Sequence, residues 1–195
     1  MSLFKNLLKI YDAGFRQTSD YDCGPASVVM VSRAFGEKRV VYDTLLTENY
    51  GRWLNRQAGR VRGTILTELH FAAEATLGAH FEVRLWRAFP ENKKEFVACL
   101  KKAAASKLAV IINFNQDYIM GRKYENDDTA FTHYSPIAGY NGRKVIITDL
   151  DRKIDFPYAV NVNDVFQSMA EPHHIFGYPR GWLTIRQRTV GKRSR

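Results

Sequence analysis

The apolar spacing of this 195-residue chain changes period near Gly78, and that change limits the folds open to it. Before Gly78 the spacing is helical. Residues 24–35 form an apolar run that stops at Gly36. Residues 40–57 carry Tyr42, Leu45, Leu46 and Tyr50 at helical intervals. The stretch "GTILTELHFAAEATLG" has Thr64 as a candidate cap and ends at Gly78, which predicts a third helix. After Gly78, "HFEVRLW" alternates and predicts a strand, "KLAVIINF" a short buried strand, and "GWLTIRQ" a last one. "FTHYSPIAGY" and "RKVIITDL" flank Asn141-Gly142, the strongest short hairpin signal. Two helices interrupt this half: "ENKKEFVACLKKAAAS", with Phe96, Cys99 and Leu100 inward, and the shorter "NVNDVFQSM". Leading helices and a following, mostly antiparallel sheet give an α+β class, with two lobes able to form a cleft.

Composition narrows the function classes. Hydrophobic residues make up 45% and charged residues 25%, so a full core can form. Two cysteines, Cys23 and Cys99, cannot build a disulfide framework, which favours a reducing compartment or an assigned thiol. The net charge is +9, but the basic residues are scattered and the tail "RQRTVGKRSR" holds a cluster of its own. No helix interleaves Arg and Lys with aromatics, so no nucleic-acid partner is expected. No apolar stretch is long enough to span a membrane. The amino-terminal "MSLFKNLLKIYDAGF" is too short and too interrupted by Lys5 and Lys9 for a signal peptide, so a cytoplasmic location is expected.

The stretch "FRQTSDYDCGPASVVM" puts Cys23 at the mouth of the first predicted helix rather than inside its apolar run. A thiol attacks as thiolate, and a free pKa of about 8.5 leaves little thiolate at neutral pH. A helix amino-terminus and a nearby imidazolium both favour the anion. Gly24 permits close backbone approach, and Pro25 suits a first helical turn. Five histidines could supply the imidazolium: His70 in a helix, His80 opening a strand, His173 and His174 in a loop, and His133 in a strand. Only His133 has a carboxylate, Asp149, on its hairpin partner, where it could fix the imidazole tautomer. Gln17 could donate to an oxyanion together with the Cys23 backbone N–H. Each residue alone has a plainer reading: a small buried cysteine, a satisfied strand histidine, a turn-capping aspartate. Their order, Gln, Cys, His and Asp, is that of a papain-like set. No Cys-x-x-Cys pair exists and His173-His174 are adjacent, so no metal site of the protein's own is expected. Cys99 reads as core.

Strand register tests the set. A strict two-residue loop at Asn141-Gly142 pairs Tyr140 with Arg143. It then sets His133 opposite Leu150 and Asp149 opposite Tyr134, on opposite faces of the sheet. A triad therefore requires an odd-length loop or a β-bulge, with Gly139 and Gly142 the best places for it.

At these residues the sequence resembles the phytochelatin synthases, papain-fold transferases and peptidases that act on glutathione. "QTSDYDCGPAS" is similar to the family's Gln, short gap, Cys-Gly and small-residue segment. "THYSPIAGYNGRKVIITDLDR" is similar to its His-aromatic-Ser-Pro-Ile strand and the following Asp-bearing strand, and "GYPRGWLTI" to its closing strand. The likeness runs from about Phe15 to Arg186. It implies a papain-like α+β catalytic domain over residues 1–187, with 188–195 a disordered basic tail. It further implies Cys23 as nucleophile, His133 as base and acid, Asp149 as orienter, Gln17 as oxyanion donor and Arg152 as a substrate-binding residue.

The activity implied is transfer of the γ-glutamylcysteinyl group of glutathione to water or to a second glutathione. No cofactor is required; heavy-metal ions such as cadmium enter as glutathione-thiolate substrate complexes. The expected partner is glutathione or a related small thiol peptide, with no nucleic acid and no membrane; a homodimer is left open. Two positions depart from the family: Thr132 replaces a glycine, and Asp155 replaces a tyrosine, which favours hydrolysis over transfer. "DCGP" also resembles the peptidases that cut bacteriocin leaders after Gly-Gly, and an inactive binding module of the same fold is the remaining alternative.

Overall fold

The computed structural model describes residues 2–18, 22–37, 64–121, 132–172 and 177–188. Their elements, in chain order, are α1 (Leu3–Asp12), α2 (Cys23–Ala34), α3 (Leu66–Leu77), β1 (Phe81–Arg87), α4 (Lys93–Ala105), β2 (Leu108–Asn115), α5 (Gln116–Met120), β3 (Thr132–Tyr140), β4 (Lys144–Ile147), β5 (Tyr158–Asn161), α6 (Val162–Ala170) and β6 (Gly181–Gln187). The strands form one sheet in the order β1-β6-β2-β3-β4-β5, and every neighbouring pair is antiparallel. This is the expected α+β class.

The central strand β2 is buried along its whole length. Its alternate side chains serve two cores, which is why it reads as an unbroken apolar run. Ala109 and Ile111 join Leu183 and Ile185 in the core beneath α1, α2 and α3. Leu108, Val110, Ile112 and Phe114 join Phe96, Phe166 and Trp182 in the core beneath α4 and α6. Helix α2 buries every residue except Arg33, as a helix enclosed on all sides does. It packs against α1, α3 and β3. Gly24 lies close in that packing: a Cβ there would meet Leu69 Cδ1 and Tyr134 Cδ2 at 3.3 Å.

Several expectations change. Thr64 does not cap α3, which begins at Leu66; the Glu68 carboxylate instead accepts the Ile65 N–H at 3.2 Å. The Thr64 carbonyl accepts the Tyr134 hydroxyl at 2.9 Å. Phe96 and Leu100 are buried on α4, but Cys99 is only half-buried. The short edge strand β5 and the one-turn helix α5 were not anticipated, because each is too short to set up a periodic pattern. The helix expected over residues 40–57, His173 and His174, and the tail from residue 189 lie outside the described residues. Among the described residues, no helix is long and apolar enough to cross a membrane.

Candidate active site

Cys23 is the first residue of α2, and the Ala26 N–H closes the helix's first turn on the Asp22 carbonyl at 2.9 Å. Pro25 falls in that first turn, where its missing N–H costs no helical bond. The Asp22 carboxylate turns back to accept the Thr18 N–H at 3.2 Å and the Thr18 hydroxyl at 2.5 Å. This ties Thr18 to the residue just before Cys23. Cys23 is 7% exposed.

The hairpin carries the irregularity that a triad requires. Tyr140 pairs with Val145 and Gly139 with Ile146, but Ile137 then pairs with Ile147, so Ala138 is an extra residue in β3. The turn also differs from the strict loop, since Tyr140 pairs with Val145 rather than Arg143; Asn141 Oδ1 accepts the N–H groups of Arg143 and Lys144 at 3.1 and 2.8 Å, and Gly142 sits at φ 92°. Pairing of β4 ends at Ile147, short of the expected strand end. The Thr148 N–H and hydroxyl both go to the Pro136 carbonyl, at 3.1 and 2.9 Å. Asp149 therefore lies just beyond β4 rather than within it. The one-residue shift brings it to His133, whose Nε2 is 2.6 Å from Asp149 Oδ1.

His133 and Asp149 are both buried. Burial pulls the His133 pKa down, but the charge of Asp149 and the electrostatic influence of Cys23, with hydrogen bonds to both, leave it well above the ordinary imidazole value. Burial pushes Asp149 up; the His133 charge and hydrogen bond, the Asp151 N–H and the Tyr158 hydroxyl bring it down to about 2. With Nε2 engaged by Asp149, Nδ1 is the ring nitrogen left to serve Cys23. A held imidazolium and a helix amino-terminus thus meet at one sulfur, the two devices that favour a thiolate.

Asp149 has two further donors that sequence reasoning missed. Gln116 Nε2 donates to Oδ2 at 3.1 Å and the Tyr158 hydroxyl donates to the same oxygen at 2.7 Å, while the Asp151 N–H donates to Oδ1 at 3.0 Å. Asn115 caps α5 by accepting the Tyr118 N–H at 3.2 Å, which fixes the helix that carries Gln116. The one sequence signal was a polar Asn-Gln pair at the exit of an apolar strand. Tyr158 gave none, because β5 was not visible. Burial and the Asp149 charge push the Tyr158 pKa up, so it stays a donor.

Gln17 is 5% exposed, and its backbone N–H donates to the Leu150 carbonyl at 3.1 Å. It therefore joins the Asp149 segment to Thr18, which Asp22 holds. Its side-chain Oε1 is buried without a hydrogen-bond partner among the described residues. The guanidinium of Arg152 reaches the same stretch: Nε donates to the Gln17 carbonyl at 2.8 Å and Nη2 to the Thr18 carbonyl. The structure thus gathers Gln17, Cys23, His133, Asp149 and Arg152 into one region. Among the described residues, no group of three or more His, Cys, Asp or Glu side chains is arranged to hold a metal ion.

Solved structures and one family model resemble this chain. The peptidase domain of Streptococcus ComA, a bifunctional ABC transporter involved in a quorum-sensing pathway, is similar in structure. It has a TM-score of 0.53 and 15% identity, over 89% of this chain and 99% of that one. A Bacillus anthracis protein described as a candidate C39-like peptidase is similar with a TM-score of 0.56 and 16% identity, over 90% of this chain and 94% of that one. These likenesses show the papain-like α+β fold. No curated protein matches the sequence. The family model described as phytochelatin synthase matches residues 1–182. With nearly the whole length matched, the chain belongs to the phytochelatin synthase family, a family of papain-like cysteine enzymes.

Proposed function

We propose that this protein cleaves the Cys–Gly bond of glutathione through a thioester on Cys23. The γ-glutamylcysteinyl group then passes to water or to the amine of a second glutathione. The observation that carries the reading is the buried His133–Asp149 bond of 2.6 Å, with the His133 charge shared by Cys23. The family match supports glutathione as the substrate in this reading.

In the first half-reaction Cys23 Sγ attacks the Cys–Gly carbonyl carbon and a C–S bond forms. The oxyanion is met by the Cys23 backbone N–H and the Gln17 side-chain amide. His133 gives its Nδ1 proton to the departing glycine nitrogen as the C–N bond breaks. In the second half-reaction water or the acceptor amine attacks the thioester, His133 takes its proton, and Cys23 leaves as thiolate. Asp149 holds the imidazole in place throughout and stabilises its charged form. Heavy-metal thiolates of glutathione enter as substrate for the transfer branch.

The C39 likeness favours a second reading, cleavage of a leader peptide after Gly-Gly. One assay separates the two. Purified protein is given glutathione, or a synthetic peptide ending its leader in Gly-Gly, and products are read by mass. Free glycine with γ-glutamylcysteine supports the proposal. Cleavage of the leader alone replaces it with the peptidase reading.

A further inference from the structure

We propose that Arg152 is a positioning residue, acting on the reaction through Gln17 rather than by gripping a substrate carboxylate. The inference rests on the reading of Gln17 as oxyanion donor.

Three bonds fasten the Gln17–Thr18 stretch to the segment after β4. The Gln17 N–H donates to the Leu150 carbonyl at 3.1 Å, Arg152 Nε donates to the Gln17 carbonyl at 2.8 Å, and Arg152 Nη2 donates to the Thr18 carbonyl. Nε and Nη2 form the side-on edge of the guanidinium fork, one of the edges that grips a carboxylate bidentately. Here that edge spans two successive backbone carbonyls. Sequence separates Arg152 from Gln17 by 135 residues, so this is a tertiary clamp and not a local turn.

The clamp matters because Gln17 has little else to aim it. Its side-chain Oε1 has no hydrogen-bond partner among the described residues, so the amide takes its direction from the backbone that carries it. That backbone is held on one side by Leu150 and Arg152. On the other, Thr18 is held by Asp22, the residue before Cys23. The five residues Thr148–Arg152 thus position two groups at once: Asp149 against His133, and Gln17 against the mouth of α2. A lysine keeps the charge at 152 but offers a point charge in place of a planar fork, so it cannot meet both carbonyls in the same way.

The test is a double-mutant cycle between Arg152→Ala and Gln17→Ala, read as kcat and KM for glycine release from glutathione. It is repeated with p-nitrophenyl acetate, whose acyl transfer to Cys23 needs the oxyanion site but no glutathione recognition; the Cys23→Ala rate is subtracted. Removing one oxyanion donor costs roughly 100- to 1,000-fold in kcat, and displacing one costs less. Arg152→Ala is expected to lower kcat roughly 10- to 100-fold with KM changed less than about twofold. In the Gln17→Ala background the same change costs less than about threefold more, because the two act as a unit. Arg152→Lys falls between the two, and serves in place of alanine if alanine unfolds the protein.

A raised KM with unchanged kcat for glutathione, and no effect on the ester, would overturn the proposal in favour of a substrate-gripping arginine. So would full additivity with Gln17→Ala. If the wild-type protein releases no glycine, the glutathione reading fails, and the ester arm still decides the role of Arg152.

Discussion

Asp149 meets His133 across a hairpin whose register shifts by one residue between Ile137 and Gly139. Without that shift the two side chains point to opposite faces of the sheet. The extra residue, Ala138, therefore sets the geometry of the site through the backbone.

The bulge is held where it is by the absence of a side chain at Gly139. A Cβ there would lie 2.7 Å from Ile146 Cδ1 and 3.0 Å from Ile146 Cβ, so the neighbour's stem is in the way and not only its tip. Gly139→Ala is expected to destabilise the protein by about 1–3 kcal/mol, the usual cost of overpacking. Gly139→Ala with Ile146→Ala should recover most of it. Urea unfolding of the single and double variants measures both; equal stability of the two would refute the steric account.

The acid side of the stability curve reports on Asp149. Its pKa of about 2 in the folded protein lies below the unfolded value of about 3.9. Its contribution is therefore present above about pH 4 and lost as pH falls toward 2, and is on the order of 2 kcal/mol. Tyr158→Phe removes a donor to the carboxylate, moves its folded pKa toward the unfolded one, and should make the acid slope shallower. Asp149→Asn should remove that share of the slope. Unfolding free energies between pH 5 and 2 test this, and a Tyr158→Phe slope equal to wild type would contradict it.

His133 gives the opposite limb. Its raised pKa means that its charged form is stabilised by folding, a contribution present at low pH and lost as pH rises through the raised value. Alkylation of Cys23 by iodoacetamide should be fast at neutral pH and lose its dependence on His133 only on the alkaline side. Cys99, whose thiol burial pushes up, should react slowly at neutral pH. Peptide mapping after a timed pulse distinguishes the two sites; preferential labelling of Cys99 would be the contrary result.

Asp155 bears on the product. It is exposed on the loop between β4 and β5, six residues after Asp149, where the resembled family carries tyrosine. Glycine and γ-glutamylcysteine are expected to dominate, with longer γ-glutamylcysteine polymers minor even when cadmium is present. Asp155→Tyr should raise the polymer share. Product masses at millimolar glutathione check this, and polymers as the main wild-type product would show that Asp155 does not limit transfer.

Much of the site was legible because its chemistry needs particular residue types in a particular order. Cys23 beside Gly24 and Pro25 marks a helix mouth, and the parity of His133 and Asp149 about Asn141-Gly142 requires an irregular hairpin. Gln116 and Tyr158 were not legible. They act on Asp149 from α5 and β5, elements of five and four residues that leave no periodic trace. The hydrogen bonds of Arg152 were hidden for a different reason: its partners are backbone carbonyls, and no side-chain pattern encodes those. Thr64 does not cap α3 because the helix begins one residue later than a Thr64 cap would place it, with the Glu68 carboxylate on the Ile65 N–H.

The central claim is that Cys23 takes the acyl group of glutathione. Protein mixed with glutathione is quenched in acid at short times; intact mass and peptide mapping follow, with free glycine measured in the same samples. The account predicts glycine release by wild type and an adduct of one γ-glutamylcysteinyl group on Cys23. That adduct is sensitive to hydroxylamine and lighter than a mixed disulfide with glutathione by one glycine less two hydrogens. Cys23→Ala should show neither, while Cys99→Ala behaves as wild type. Undiminished glycine release by Cys23→Ala, or no release by wild type, would contradict it.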